Sequence, residues 1–337
     1  MKRFALLSAL LSCALQLSAI EKPIKINLAL QATDLLNGRL AVRMPSNAET
    51  KPLRTNIMAA PSADAEVTRV VFDSGPKRIV LMAYELFART DNDFGSAVYK
   101  QTAAFPMKVT VEEWTLAAPL RGYAYFPVSP TRDQEANLVM GLYVVQQDST
   151  VQHLVFFANP PAASNSAEVR DLARSIAGTV IPGKRMLNDA PGDRMLYASN
   201  KTAVFVTVPS GYVMTEQPGP DFFVYHIRRL TTFGEPGASI GVYLGDHPST
   251  DREGLNKRDA TTLFGKQAQW YEKESKEGQM GVFTNALVPL GPSLLGHAIS
   301  WSGDLPSYAD VFLQAKDAAG IEELKKVAAT LRIGKSK

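Results

Sequence analysis

The 337-residue sequence predicts an α+β protein of two similar domains, each an antiparallel sheet with one or two helices packed on one face, related by an internal duplication. Three observations carry the prediction. Strand-like alternation dominates both halves, an amphipathic helical stripe closes each half, and a Pro/Gly-rich break separates them.

The break runs from Ile181-Pro182-Gly183 to Ala190-Pro191-Gly192-Asp193, where two Pro-Gly pairs bracket a polar stretch that should hold neither helix nor strand. It sets the expected boundaries: a leader over 1–19, an N-terminal domain over 20–181, a linker over 182–193 and a C-terminal domain over 194–337. Domains of roughly 150 residues are a comfortable size for a buried core.

Each half opens with an alternating strand that stops at a proline. Leu40, Val42 and Met44 share one face before Pro45, as Val204, Val206 and Val208 do before Pro209. A hairpin-like pair follows, 69–72 with 78–87 and 222–229 with 239–244, around Asp73-Ser74-Gly75-Pro76 and Gly234-Glu235-Pro236-Gly237. A helix is expected next in each half, over 93–104 and 251–264. The strands 109–114, 122–128 and 138–145 are then matched in order by 267–272, 281–288 and 295–301. A strand and a helix close each half. Val169, Leu172, Ala173 and Ile176 form one stripe after the strand 151–158, and Ile321, Leu324, Ala328 and Leu331 another after 308–315. Equivalent points lie about 150 to 165 residues apart.

Residues 1–19 read as an export signal: Lys2 and Arg3, an uncharged apolar run from Phe4 to Leu17, then Leu17-Ser18-Ala19 as a cleavage site. The reading places the protein outside the cytoplasm, periplasmic or extracellular. Leu10-Leu11-Ser12-Cys13 gives an alternative, a lipobox whose cysteine would carry a lipid anchor. Against it, Leu11 stands where a smaller residue is usual and the apolar run continues past Cys13. Without Lys2 and Arg3 the 36 basic residues become 34 against 33 acidic ones, so the charge drops from +3 to +1. Such balance gives no electrostatic reason to bind nucleic acid or an anionic membrane. No other stretch has the ~18 consecutive apolar residues of a membrane helix. With Cys13 gone, disulfides, thiol catalysis and cysteine-built zinc sites are excluded.

Val206-Thr207-Val208-Pro209-Ser210-Gly211-Tyr212, Gly265-Lys266-Gln267-Ala268-Gln269-Trp270-Tyr271 and the ending Val327-Ala328-Ala329-Thr330-Leu331-Arg332-Ile333 resemble the pattern of Mog1/PsbP-like domains. Ser175-Ile176-Ala177 would be the matching ending of the first half. The resemblance implies tandem domains of that fold, which are mainly accessory or binding modules without chemistry. The opening from Gly38 to Pro45 is also similar to that of two-domain periplasmic immunity proteins that block lipase effectors.

Motifs that carry chemistry are sparse. Of the four histidines, His153 and His226 read as ordinary strand residues. Asp246, His247 and Asp251 are the most metal-like grouping, but they sit in a polar loop and lack the spaced histidine pair of a zinc helix. Asp91-Asn92-Asp93 starts like a calcium loop and then lacks its last acidic ligand, so Asp93 is expected to cap a helix. Ser293 and His297 are the one candidate Ser/His pair, and no G-x-S-x-G elbow, Walker loop or dinucleotide fingerprint occurs. Tyr123, Tyr125, Trp270, Tyr271 and Trp301 are candidate binding residues, with core packing as the alternative. Arg228-Arg229 is expected at a solvated strand end and the Gly334–Lys337 tail is expected to fray. The function expected is an exported, non-catalytic binding or accessory protein, immunity- or chaperone-like, with no cofactor. Its partner would be a protein or another cell-envelope component. The alternative is a secreted hydrolase with a dispersed Ser/His or Asp/His site.

Overall fold

The structure, a computed structural model, describes residues 31–45, 48–52, 67–74, 77–90, 93–128, 137–159, 166–219, 222–248, 254–273, 281–291 and 305–336. The leader with Cys13 lies outside them.

The first half runs β1 (Gln31–Leu35), a one-turn 3-10 helix (Leu36–Gly38), β2 (Leu40–Met44), β3 (Glu49–Pro52), β4 (Val67–Ser74), β5 (Lys77–Arg89), α1 (Phe94–Ala103), β6 (Val109–Trp114), β7 (Arg121–Pro127), β8 (Leu138–Val145), β9 (Thr150–Asn159), α2 (Ala167–Ala177) and β10 (Ile181–Pro182). The second runs β11 (Gly192–Ala198), β12 (Thr202–Val208), β13 (Tyr212–Pro218), β14 (Phe222–Arg229), β15 (Thr231–Thr232), β16 (Ala238–Gly245), β17 (Asn256–Leu263), β18 (Lys266–Lys273), β19 (Val282–Pro289), β20 (Tyr308–Ala315), α3 (Ala318–Ala328) and β21 (Arg332–Lys335).

Both halves use the same strand order. The small sheets run β1-β2-β10 and β11-β12-β21; the large ones run β3-β4-β5-β9-β8-β7-β6 and β13-β14-β16-β20-β19-β18-β17. Every pairing within them is antiparallel, and the architecture is α+β. The order also shifts the expected correspondence by one strand. The partners of β6, β7 and β8 are β17, β18 and β19, so the helix expected over 251–264 is instead the edge strand β17. The sequence Asn256-Lys257-Arg258-Asp259 is too polar to pack a helical face and suits a strand with one open edge. The strand expected over 295–301 lies outside the described residues.

Alternation builds the cores. Leu40, Val42 and Met44 of β2 meet Leu81, Leu142, Leu154 and Phe156 of the large sheet, and α2 closes this layer with Val169, Leu172, Ala173 and Ile176. In the second half Val204, Val206 and Val208 pack with Val242, Val311 and Leu313 beneath Ile321, Leu324 and Ala328 of α3. Asp317 caps α3 by accepting the Gly320 N–H at 2.9 Å. Asp93 stands at the start of α1 without a side-chain cap bond, which corrects the expected capping role. The first half also departs from the one-face expectation. Phe94 and Val98 of α1 pack with Tyr125, Tyr143 and Val155, on the sheet face opposite α2. Two buried faces on one sheet require two covers, and one helix supplies each.

One end of the first core is polar. The Arg39 guanidinium, 1% exposed, donates from Nε to Glu85 at 3.0 Å and from Nη1 to Asp148 at 3.2 Å. Its Nη2 reaches the Thr150 hydroxyl, Gln152 donates to both Glu85 oxygens, and Gln146 donates to the Arg39 carbonyl at 2.7 Å. This network ties β2 to β5 and to the β8–β9 turn.

The stretch expected to be a bare linker is partly ordered into the sheets. Ile181 and Pro182 pair with Ala41 and Leu40, the Gly183 N–H donates to the Arg39 carbonyl, and β11 starts at Gly192. The halves touch elsewhere too. β15 pairs in parallel with Ala88 and Arg89 at the end of β5, and Arg89 meets Asp189 at 2.9 Å. Arg228 is buried, with its guanidinium 5.0 Å from the Phe87 ring centroid and Nη1 2.9 Å from the Thr215 hydroxyl, which corrects the solvated reading. The tail is corrected as well: Arg332–Lys335 is β21, paired with β12 and anchored by Arg332–Asp193 at 2.6 Å.

Candidate functional site

The large sheet of the first half carries a row of rings on the face that α1 covers in part. Register places Tyr84 opposite His153, His153 opposite Tyr143, and Tyr143 opposite Tyr123. Directly opposed residues share a face and touch, so four strands contribute one continuous row. The His153 and Tyr143 rings stack with centroids 4.2 Å apart and planes at 15°. Tyr125, one pair further along β7, lays its ring across Gly141, where an added Cβ would sit 2.0 Å from that ring. Its hydroxyl thereby reaches His153 Nε2 at 2.9 Å. Phe105 packs edge-on against Tyr125 at 5.1 Å, and Phe233, entering from the second half, packs at 5.1 Å against Tyr143.

The row is held un-ionised. Burial lowers the His153 imidazole to a pKa of about 3 and pushes the Tyr143 and Tyr125 hydroxyls well above the ordinary tyrosine value. Near neutral pH His153, Tyr143 and Tyr125 therefore stay uncharged. What it presents is apolar ring surface with a few polar edges, the composition of a recognition surface. Tyr125 and Tyr143 are enclosed. Met82, Tyr84, His153 and Phe157, on β5 and β9 beside the helix-covered part, are only half-buried.

The same shifts predict a pH dependence. His226, on β14 in the second half, is also lowered to about 3, by burial first and by the Arg228 charge second. A histidine at about 6.5 in the unfolded chain and about 3 in the folded one takes up its proton on unfolding. That stability is fully present above pH 6.5 and lost as pH falls toward 3. Urea midpoints are expected to decline from pH 7 to pH 4 more steeply in the parent than in His153→Phe, whose ring keeps the stack; parallel slopes would contradict the placement.

Of the residues singled out in the sequence, the structure brings Tyr123 and Tyr125 together and adds Tyr84, Tyr143 and His153. Tyr125 and Trp270 are core side chains, 3% and 2% exposed, and Trp270 packs in the second core away from the row. Tyr271, half-buried, lies on the opposite face of β18 from Trp270. Asp246 accepts the Ser307 N–H at 2.9 Å, and the exposed His247 donates its backbone N–H to the Tyr243 hydroxyl. Among the described residues no three His, Cys, Asp or Glu side chains are grouped to hold a metal ion. Asp251, Ser293, His297 and Trp301 lie outside the described residues. No helix of the described residues is long and apolar enough to cross a membrane.

Fold and face define an α+β protein with two small and two large sheets, like-ordered in its two halves, and an aromatic face on the large sheet of the first half. No family model matches the chain, so none supports the likeness to Mog1/PsbP-like domains, and no curated protein matches it. Among solved structures, that of the immunity protein TplEi of T6SS from Pseudomonas aeruginosa, complexed with "L" peptide, aligns over 90% of this chain and 97% of its own at 11% identity and a TM-score of 0.24. Overlap of that size does not establish a common fold.

Proposed function

We propose that this is an exported accessory protein of the cell envelope that works by binding another protein, in the manner of an immunity protein or a chaperone, without catalysis. The supporting observation is the ring row, half-open at Met82, Tyr84, His153 and Phe157 and un-ionised around neutral pH. Export rests on the leader composition, and a free periplasmic or extracellular form is preferred to lipidation at Cys13. Residues 20–181 and 194–337 would be two domains joined by 182–193 and descended from one ancestral unit. The common strand order and the common closing helix support that descent, and the Mog1/PsbP-like ancestry rests on the sequence patterns alone.

Affinity capture from envelope extract tests the reading, run beside turnover assays on ester, peptide and glycoside substrates. Tyr84→Ala is expected to lower recovery of the captured protein at least about tenfold, as loss of an aromatic anchor does, with the unfolding midpoint little changed. Turnover that disappears in Ser293→Ala or His297→Ala would replace this reading with the hydrolase.

A further inference from the structure

A second surface, separate from the ring row, lies along residues 181–186. Ile181 and Met186 are 39% and 49% exposed, among the few large apolar side chains so open among the described residues. Three exposed cations surround them. Ile181 is paired with Ala41, and Arg43 stands two residues along β2 on the same face, while Lys184 and Arg185 belong to the stretch itself. No carboxylate lies within 4 Å of these three among the described residues, whereas Arg39, Arg89, Arg174, Arg229, Arg258 and Arg332 each meet one. The acids nearest in sequence are engaged elsewhere, Asp189 with Arg89 and Asp193 with Arg332. Asp34, opposite Ala41, is the one exposed acid on the same sheet face.

The backbone of this stretch is anchored to the residues before β2. The N–H groups of Gly183 and Arg185 bond inward to the carbonyls of Arg39 and Gly38. Strand pairing itself ends at Pro182, and the chain bends at Lys184 between these two bonds. The position is held firmly, since a Cβ on Gly183 would lie 2.1 Å from the Gly38 carbonyl oxygen. The stretch and its β2 neighbour thus join two exposed apolar side chains and three cations with no carboxylate partner among the described residues.

We infer that residues 181–186, with Arg43, form a docking surface for an acidic polypeptide segment that carries both carboxylate and apolar side chains. Arg43, Lys184 and Arg185 would select its charge, and Ile181 and Met186 would receive its apolar side chains. Met and Arg are both side chains that protein interfaces favour. A membrane surface is the poorer occupant, because Ile181 and Met186 alone present too little apolar area to enter lipid.

The test titrates the full-length protein into a fluorescein-labelled (Glu-Leu)5 peptide, followed by anisotropy, with (Lys-Leu)5 and phosphatidylglycerol vesicles as controls. Binding is expected to (Glu-Leu)5 alone, weakening at least about tenfold between about 50 mM and about 300 mM salt. It is expected to fall about tenfold in Arg43→Glu/Arg185→Glu and to weaken in Ile181→Ser, both at exposed positions where the fold should persist. Absence of binding, equal binding of (Lys-Leu)5, equal binding by the double variant, or vesicle binding that requires the same arginines would each overturn the inference. None bears on the ring row, whose own test is the Tyr84→Ala capture.

Discussion

Replacing Arg39 with methionine is expected to lower the unfolding free energy by about 3–5 kcal/mol, the cost of breaking a buried pair from one side. The guanidinium is 1% exposed and the Glu85 side chain is fully buried. Methionine fills much of the volume but leaves the buried Glu85 carboxylate without its guanidinium partner, and it removes a donor to Asp148 and Thr150. Because three structural pieces converge on Arg39, the loss should appear as a lower urea midpoint with an unchanged slope. The companion variant Arg39→Met/Glu85→Leu separates cause from packing: removing both charges is expected to recover part of the loss. A double variant as unstable as the single one would show that Arg39 acts through shape and not charge.

Phe156→Ala is expected to cost about 3–5 kcal/mol, combining lost burial with the cavity left behind. The ring is fully buried in the first core, at the position of β9 that faces β2 and α2. Its neighbours sit on three layers, a large sheet, a small sheet and a helix, so the gap cannot close by the shift of one element. Phe156→Leu is expected to cost less, since most of the volume remains. Phe283→Ala, at a ring 36% exposed, should fall within about 0.5 kcal/mol of the parent and serves as the surface control. Urea unfolding of the three variants under one condition checks the ordering.

Legibility followed range of interaction. The strands around Leu40–Met44 and Thr202–Val208 and the stripes of α2 and α3 are written in spacings of two to four residues, and the structure places them where the periodicity does. β17 was illegible because an edge strand with polar side chains has no apolar period to read, and β21 because its order comes from pairing with β12, about 130 residues away in sequence. Arg228 is buried because Phe87, from the other half, lies against it. No local pattern in Phe222–Arg229 signals that contact.

The ring row makes the same point for the candidate site. Tyr123 and Tyr125 were visible as aromatics on one face of a strand, but His153 looked like an ordinary strand residue. Its role depends on register with Tyr84 and Tyr143, on strands 10 to 70 residues distant, and on Gly141 letting Tyr125 lean across to it. By itself the sequence determined the α+β class, the alternating strands and helical stripes near the start and end of each half, the absence of cysteine beyond Cys13 and the near-neutral charge, because composition and short periodicities are local properties. Only the tertiary structure decided which strands are neighbours, which polar groups are buried and which cations stay unpaired, because those depend on contacts between segments far apart in the chain.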